Sequence, residues 1–397
     1  KVQPFKRKDS SDRKESHSTP TASVKKPEIK KLSSGLIMRY FITGLLAGIA
    51  LGFAPWLMPS HSFKIFPQWY GQISSASTIA TSPFTDNSKN IIGPVQTDKG
   101  YLMFKEKGTV SANPSTDTGI LAPSGNGMYY AEYGKLSDKI SYRNYREEPF
   151  WTLSTHEYPH LSYEGKLILL VTADNSAVRM VDYNGNYTGS KRITGRFCTS
   201  MGFSQPGNAA SIGFLDGTYY FLNKKGEIVY KGVTPDNSLV KTVSISSNAK
   251  FGAVHYGPSG KGNDKLLLVN IHNHDSFNVP IKGNSRARAA ICINAEGTAL
   301  FLGMSHLYLV QIPREKHRPI DILDRREGHN SIQYANGVFT VSYTGKKGTS
   351  RFYAVHENGS VLFARAFPEE PYLDIIMRDQ SILLRGPDTL YCYSYQL

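Results

Sequence analysis

The sequence predicts an all-β fold, a seven-bladed β-propeller (eight blades being the other count that fits), preceded by a disordered tail and one transmembrane helix. Three observations predict it. A hairpin turn followed by a strongly apolar strand recurs seven times, around Gly127, Gly165, Gly207, Ala249, Gly297, Gly337 and Gln380. The steps are 38, 42, 42, 48, 40 and 43 residues, the period of a four-stranded blade. The composition of 24 Tyr, 19 Phe and 35 Gly favours strands and tight turns. After residue 64 no stretch keeps the i, i+3, i+4, i+7 apolar spacing of a helix. Finally, Tyr40–Phe63 is an uncharged apolar run, long enough for the roughly 20 helical residues that a bilayer core requires.

Residues 1–35 are polar, rich in Lys and Ser, and nearly free of aromatics. They cannot bury enough apolar surface to offset chain entropy, so a disordered basic tail is expected. Residues 1–39 hold eleven Lys or Arg against four Asp or Glu, half of the chain's net charge of +14. The rest of the excess is thinly spread, and no nucleic-acid partner is expected from it. Lipid headgroups near the basic tail are the simpler partner.

Residues 36–63 form the expected transmembrane helix. The basic residues lie before it and only Lys64 follows closely, so the N-terminus is expected in the cytoplasm. A cleaved signal is the rival, but about 39 residues precede the apolar run and the run exceeds the usual 7–15 residues. Gly44, Gly48 and Gly52 recur every fourth residue and form one smooth stripe on a helix, a surface for packing against another membrane helix. Pro55 should kink or end the helix. Residues 64–93, dominated by small and polar side chains, read as a linker.

Residues 94–397 are the propeller. Tyr219–Leu222 is followed by a polar turn ending in Gly226 and then Glu227–Tyr230; Phe352–Val355, Gly359 and Ser360–Phe363 repeat the pattern. The segments LDGTYYFLNKKGEIVYKG (215–232) and FYAVHENGSVLFARAF (352–367) resemble the outer hairpins of the PQQ-like, or quinoprotein-type, β-propeller family. Three strands fit after Leu373, at 373–377, 381–385 and 389–395. A strand at Gly100–Phe104 or Ile91–Val95 is expected to complete that last blade and close the ring.

The resemblance implies architecture more than activity. Quinone-binding members carry tryptophan docking residues in each blade, whereas this chain has Trp56, Trp69 and Trp151 only. No cofactor is expected. No GxSxG, HExxH or P-loop is present. His272 and His274 would share a strand face, but a polar turn after Leu266–Asn270 is the simpler reading. Cys198, Cys292 and Cys392 have no metal-ligand spacing and read as buried small apolar residues. Tyr391, Tyr393 and Tyr395 alternate on one strand face and suit blade-to-blade packing. In the charge-rich segment Pro313–His329, Arg314, Lys316, Arg318, Arg325 and Arg326 are the candidate partner-binding residues.

Together these readings describe a single-pass protein of a bacterial inner membrane with its propeller in the periplasm. It would be a non-catalytic scaffold in a cell-envelope complex. It would meet membrane proteins through the helix and envelope proteins through propeller loops, as related propellers do in outer-membrane assembly. A ligand-sensing ectodomain and an enzyme with a loop-built site at the propeller mouth are the alternatives.

Overall fold

Each of the seven recurrent hairpins joins the first two strands of an antiparallel sheet. The computed structural model describes residues 42–43, 63–72, 80–81, 94–97, 100–104, 110–112 and 119–396, the last apart from 136–137, 145–147, 206, 261, 287, 323–324 and 379. The chain divides into two compact units, 1–61 and 62–397, and the sheets all belong to the second.

In chain order, sheet 1 is three-stranded: Val95–Thr97, Gly100–Phe104 and Val110–Ala112. Blade 2 begins at Gly119, blade 3 at Tyr158, blade 4 at Cys198, blade 5 at Val240, blade 6 at Ile291 and blade 7 at Arg325; each has four strands in sequential order. Blade 8 is Asp374–Arg378, Ser381–Arg385 and Thr389–Gln396, extended by Lys64–Gln72 and the short Ala80–Thr81. Seven sheets therefore have four or more strands and start at the seven predicted hairpins. Sheet 1 makes an eighth beside blade 2.

A local chemical repeat builds the hairpins. Ser124, Ser162, Ser204 and Ser246 are buried at the end of a first strand. Each hydroxyl accepts the backbone N–H five residues on, from Tyr129 (3.0 Å), Leu167 (3.1 Å), Ala209 (2.9 Å) and Phe251 (3.0 Å). Such side-chain bonds satisfy donors that the turn strips from the ladder. Gly165 closes its hairpin at φ 72°, and a Cβ there would meet the Tyr142 hydroxyl at 2.8 Å. That hydroxyl donates to Gly165 O at 2.6 Å and ties blade 2 to blade 3.

The core lies between blades. Leu167, Leu169, Val178 and Met180 of blade 3 pack on Ala210, Ile212 and Phe214 of blade 4. Equivalent apolar layers join blades 2 and 3, and each pair onward to blades 7 and 8. Burying one such Leu, Ile or Phe contributes roughly 1.5–3 kcal/mol, so the repeated layers dominate the stabilisation of the unit. First strands of successive blades lie side by side around the axis, which makes them the channel wall.

The closing strand differs from expectation. Lys64–Gln72, expected as linker, pairs antiparallel with Thr389–Gln396, from Lys64 opposite Gln396 to Gln72 opposite Thr389. The fourth strand of the last blade thus comes from the N-terminal side of the propeller, as expected, but from a different segment. Gly100–Phe104 belongs instead to sheet 1. Pro67 is tolerated because a bulge between Pro67 and Trp69 interrupts the register there. The expected transmembrane helix lies outside the described residues, apart from helical Ile42 and Thr43. Among the described residues no helix is long and apolar enough to cross a membrane.

Candidate interaction surfaces

The strand order gives the propeller two unlike faces. One, the hairpin face, carries the turns between strands one and two and between strands three and four. The other, the loop face, carries the turns between strands two and three and the connections between blades.

The channel is cross-linked near the hairpin face. The Ser204-to-Ala209 turn of blade 4, closed five residues on like its counterparts, carries Gln205 directly after the serine, and its side chain reaches blades 6 and 7. Gln205 Oε1 accepts the Tyr334 N–H of blade 7 at 2.9 Å and lies 3.9 Å from Cys292 Sγ of blade 6. From blade 3, the Tyr163 hydroxyl donates to Met377 O of blade 8 at 3.0 Å. Gln333 fastens blades 7 and 8, donating to Ile375 O at 2.5 Å and accepting the Met377 N–H at 2.8 Å.

At the loop face the channel mouth carries several exposed cations, with Glu327 among them accepting the Arg286 N–H. Arg288 is exposed, and its cation acts on two groups from other blades. His160 of blade 3 is surface-accessible, yet the protein mass around it, with Arg288 adding to it, holds its ring below the usual histidine value. Burial pushes the Cys198 thiol of blade 4 up to about 11, with the Ser200 carbonyl bond and Arg288 pulling the other way. Arg288 stands in the connection between blades 5 and 6, on the loop face, and its charge is felt by groups of blades 3 and 4. Arg286, Arg326, Lys346 and Lys347 are exposed in nearby loops of the same face. A separate cleft of about 160 Å³ lies between blades 2 and 3, lined by Lys135, Lys139, His156 and Glu157 among others. Its Glu157 is held by Arg179 at 3.0 Å and Arg192 at 2.8 Å.

Behind the loop face, blade 5 contains a buried charged cluster. Lys241 Nζ donates to Asp264 Oδ1 (2.7 Å), Asn284 Oδ1 (3.0 Å) and Ser285 O (2.8 Å). Asp264 Oδ2 accepts the Ser285 N–H and lies 2.9 Å from His255 Nε2. Burial alone would raise the Asp264 carboxyl, but the bonds from His255, Lys241 and Ser285 hold it below the ordinary range. Burial lowers His255 despite Asp264. Three acceptors satisfy the ammonium completely, which fits a structural ion pair pinning the blade 5 loops.

The five predicted basic residues do not form one surface. Arg314 lies in the turn 312–314, and Lys316 and Arg318 lie on the exposed outermost strand of blade 6, near the hairpin face. Arg318 packs against the Gly359 turn of blade 7. Arg325 and Arg326 begin blade 7 at the opposite face, about 17 Å along that strand. Arg326 is exposed there, but Arg325 is 5 % exposed. Its Nη1 donates to Leu302 O at 3.0 Å and to Gly303 O, and burial pushes its pKa down to about 10. Arg325 is thus a blade-6-to-blade-7 fastener and not a partner contact: the neighbouring blade covers it with carbonyls.

The remaining candidate residues resolve locally. Gly44, Gly48 and Gly52 lie outside the described residues. His272 and His274 sit in the turn of blade 5, and His274 stacks on Tyr230 of blade 4 at 5.7 Å. The three cysteines are free and buried. Tyr391, Tyr393 and Tyr395 serve packing: Tyr391 donates to Glu370 at 2.8 Å, Arg365 donates to Tyr393 at 3.1 Å, and Tyr395 stacks on Phe63 at 5.7 Å. Gln205 and Arg288 carry no motif in the sequence. Gln205 stands directly after the repeated hairpin serine, the position that Tyr163 holds in blade 3, and this register is the available signal for the first.

No family model matches the chain, and no curated protein matches it in sequence. Solved structures do resemble it. The crystal structure of BamB from Moraxella catarrhalis superposes with a TM-score of 0.50 at 11 % identity, covering 82 % of this chain and 97 % of that one. Kuenenia stuttgartiensis hydrazine synthase gives a TM-score of 0.46 at 11 % identity, covering 70 % of this chain and 95 % of that one. At 11 % identity the likeness to BamB establishes the β-propeller fold alone.

Proposed function

We propose that the chain is a non-catalytic protein-interaction scaffold of the cell envelope. It is anchored by its apolar run in a bacterial inner membrane and holds its propeller in the periplasm. The observation that carries this reading is how the channel is used. Gln205, Tyr163 and Gln333 spend their polar groups joining blades across and around the axis. The buried Lys241–Asp264–His255 cluster is likewise consumed by internal bonds. The exposed cations around Arg288 and Arg326 on the loop face suit an acidic surface of an envelope protein. The fold shared with BamB supports this reading by analogy of architecture. In the same reading Gly44, Gly48 and Gly52 pack a membrane partner, and the basic tail touches lipid headgroups.

The test is capture of the full-length chain from membranes in mild detergent. A scaffold recovers a defined set of envelope proteins in fixed ratio, and Arg288→Glu with Arg326→Glu reduces that recovery while the thermal melt is unchanged. Recovery of nothing beyond the chain itself overturns the reading.

A further inference from the structure

We propose that the hairpin face of the propeller lies on the bilayer surface and that its exposed rim inserts into the lipid interface. The proposal rests on the anchored reading above and deepens it. Its first support is where the chain enters the propeller. Lys64 pairs with Gln396, at the end of the third strand of blade 8. That end is on the hairpin face, because Tyr395 N–H donates to Gln380 O of the blade 8 hairpin at 2.8 Å. Phe63 is already seated there, stacked on Tyr395. The first nine residues of the expected spacer, Lys64–Gln72, are therefore a strand of the propeller.

The connector that remains is short. Between Met58 and Phe63, the last residue of the uncharged run, stand only Pro59, Ser60, His61 and Ser62. Four residues reach at most about 14 Å. If the apolar run before Pro59 is the anchor, the chain cannot carry Phe63 and Lys64 farther from the bilayer than this connector reaches.

The second support is the rim of that face. Phe66, Phe150, Tyr183, Tyr187, Ile228 and Val361 are each 44–53 % exposed. They sit in the turns before the outermost strands or at the starts of those strands, in blades 8, 2, 3, 4 and 7. Trp151 joins them, its indole donating to Tyr183 O at 2.9 Å. Aromatic side chains with an apolar body and a polar tip favour the interfacial layer of a bilayer. Charges of both signs share this face: Lys166 pairs with Glu164 at 2.7 Å, and Lys224, Lys225, Arg314 and Lys316 stand among Glu227, Glu315 and Glu357. Attraction is then apolar, and a zwitterionic surface suffices.

The experiment uses the full chain with Trp56→Phe and Trp69→Phe, which leaves Trp151 as the sole tryptophan. It is reconstituted into phosphatidylcholine nanodiscs whose acyl chains are brominated near the headgroup. Trp151 emission should fall relative to unbrominated discs. Combined Phe150→Asp, Tyr183→Asp and Tyr187→Asp should abolish the fall, whereas Phe197→Asp with Leu215→Asp on the loop face should leave it. Unquenched Trp151 in a chain that co-elutes with the disc overturns the orientation and leaves the anchor standing; the rim would then be a protein contact. A chain that does not co-elute overturns the anchor, and this proposal with it. Thermal melts of each variant separate loss of contact from loss of fold.

Discussion

Gln205 of blade 4 and Tyr334 of blade 7 are joined across the channel, the side-chain oxygen of the first accepting the backbone N–H of the second at 2.9 Å. The two residues are 129 apart in sequence, and blades 5 and 6 intervene between them. The bond therefore braces two blades that are not neighbours, where the layers between neighbouring blades do not act.

Gln205→Ala leaves the Tyr334 N–H without its acceptor in a part-buried position. The expected cost is about 1–3 kcal/mol. Gln205→Glu keeps an acceptor at the same reach and should retain most of the stability. Urea midpoints at one pH measure both, and equal midpoints for the Ala and Glu variants would show that the brace carries no energy.

The buried hairpin serines give a second prediction. Ser162→Ala removes the acceptor of the Leu167 N–H, and Ser246→Ala does the same to Phe251. Each should cost about 1 kcal/mol. The sites are in different blades with no shared partner, so the double variant should cost the sum. Denaturant titration of the two single variants and the double tests this. A strongly sub-additive pair would mean that the hairpins melt locally before the ring does.

Those serines also show what is legible in the sequence. Ser124, Ser162, Ser204 and Ser246 stand at steps of 38, 42 and 42 residues, each three to five residues before an apolar strand. Such signals are local, so hairpin period and blade starts can be read directly. Pairing between distant segments leaves no comparable trace. KIFPQWYGQ contains a proline and precedes a small, polar stretch, which makes it resemble linker. Only Thr389–Gln396, more than 300 residues away, makes it a strand. Arg325 misleads for a related reason. It lies in a charge-rich segment, and its burial is decided by Leu302 and Gly303 on the preceding blade.

The closing strand yields a third prediction. A chain starting at Ser62 keeps Lys64–Gln72 paired with Thr389–Gln396, including the Gln68-to-Ser394 side-chain bond at 2.6 Å. A chain starting at Ile73 loses that strand and exposes the edge of Thr389–Gln396, a template for pairing with other chains. The longer chain should elute as one species and melt in one cooperative step. The shorter should aggregate or melt at lower temperature with a broadened transition. Indistinguishable elution and melting would show that closure does not depend on this strand.

The last prediction concerns pH and the blade 5 cluster. His255 is fully buried, its Nε2 lies 2.9 Å from Asp264, and its Nδ1 has no hydrogen-bond partner. Burial lowers its pKa below the ordinary value of 6.5, with Asp264 opposing the shift and Lys241 and Arg325 adding to it. The unfolded chain therefore binds a proton at a higher pH than the folded one. The stability that neutral His255 contributes is fully present above about pH 6.5 and is lost as pH falls below it, by at most about 1.4 kcal/mol per pH unit. Asp264, held low, contributes stability that is lost only at more acidic pH, as its carboxylate protonates. His255→Gln keeps a donor for Asp264 but cannot titrate. Urea midpoints measured from pH 7.5 down to pH 5 should fall more steeply for the natural sequence than for His255→Gln, and the two curves should run parallel above pH 7. Parallel curves across the whole range would mean that His255 titrates alike in both states and that the charged cluster does not hold the ring neutral.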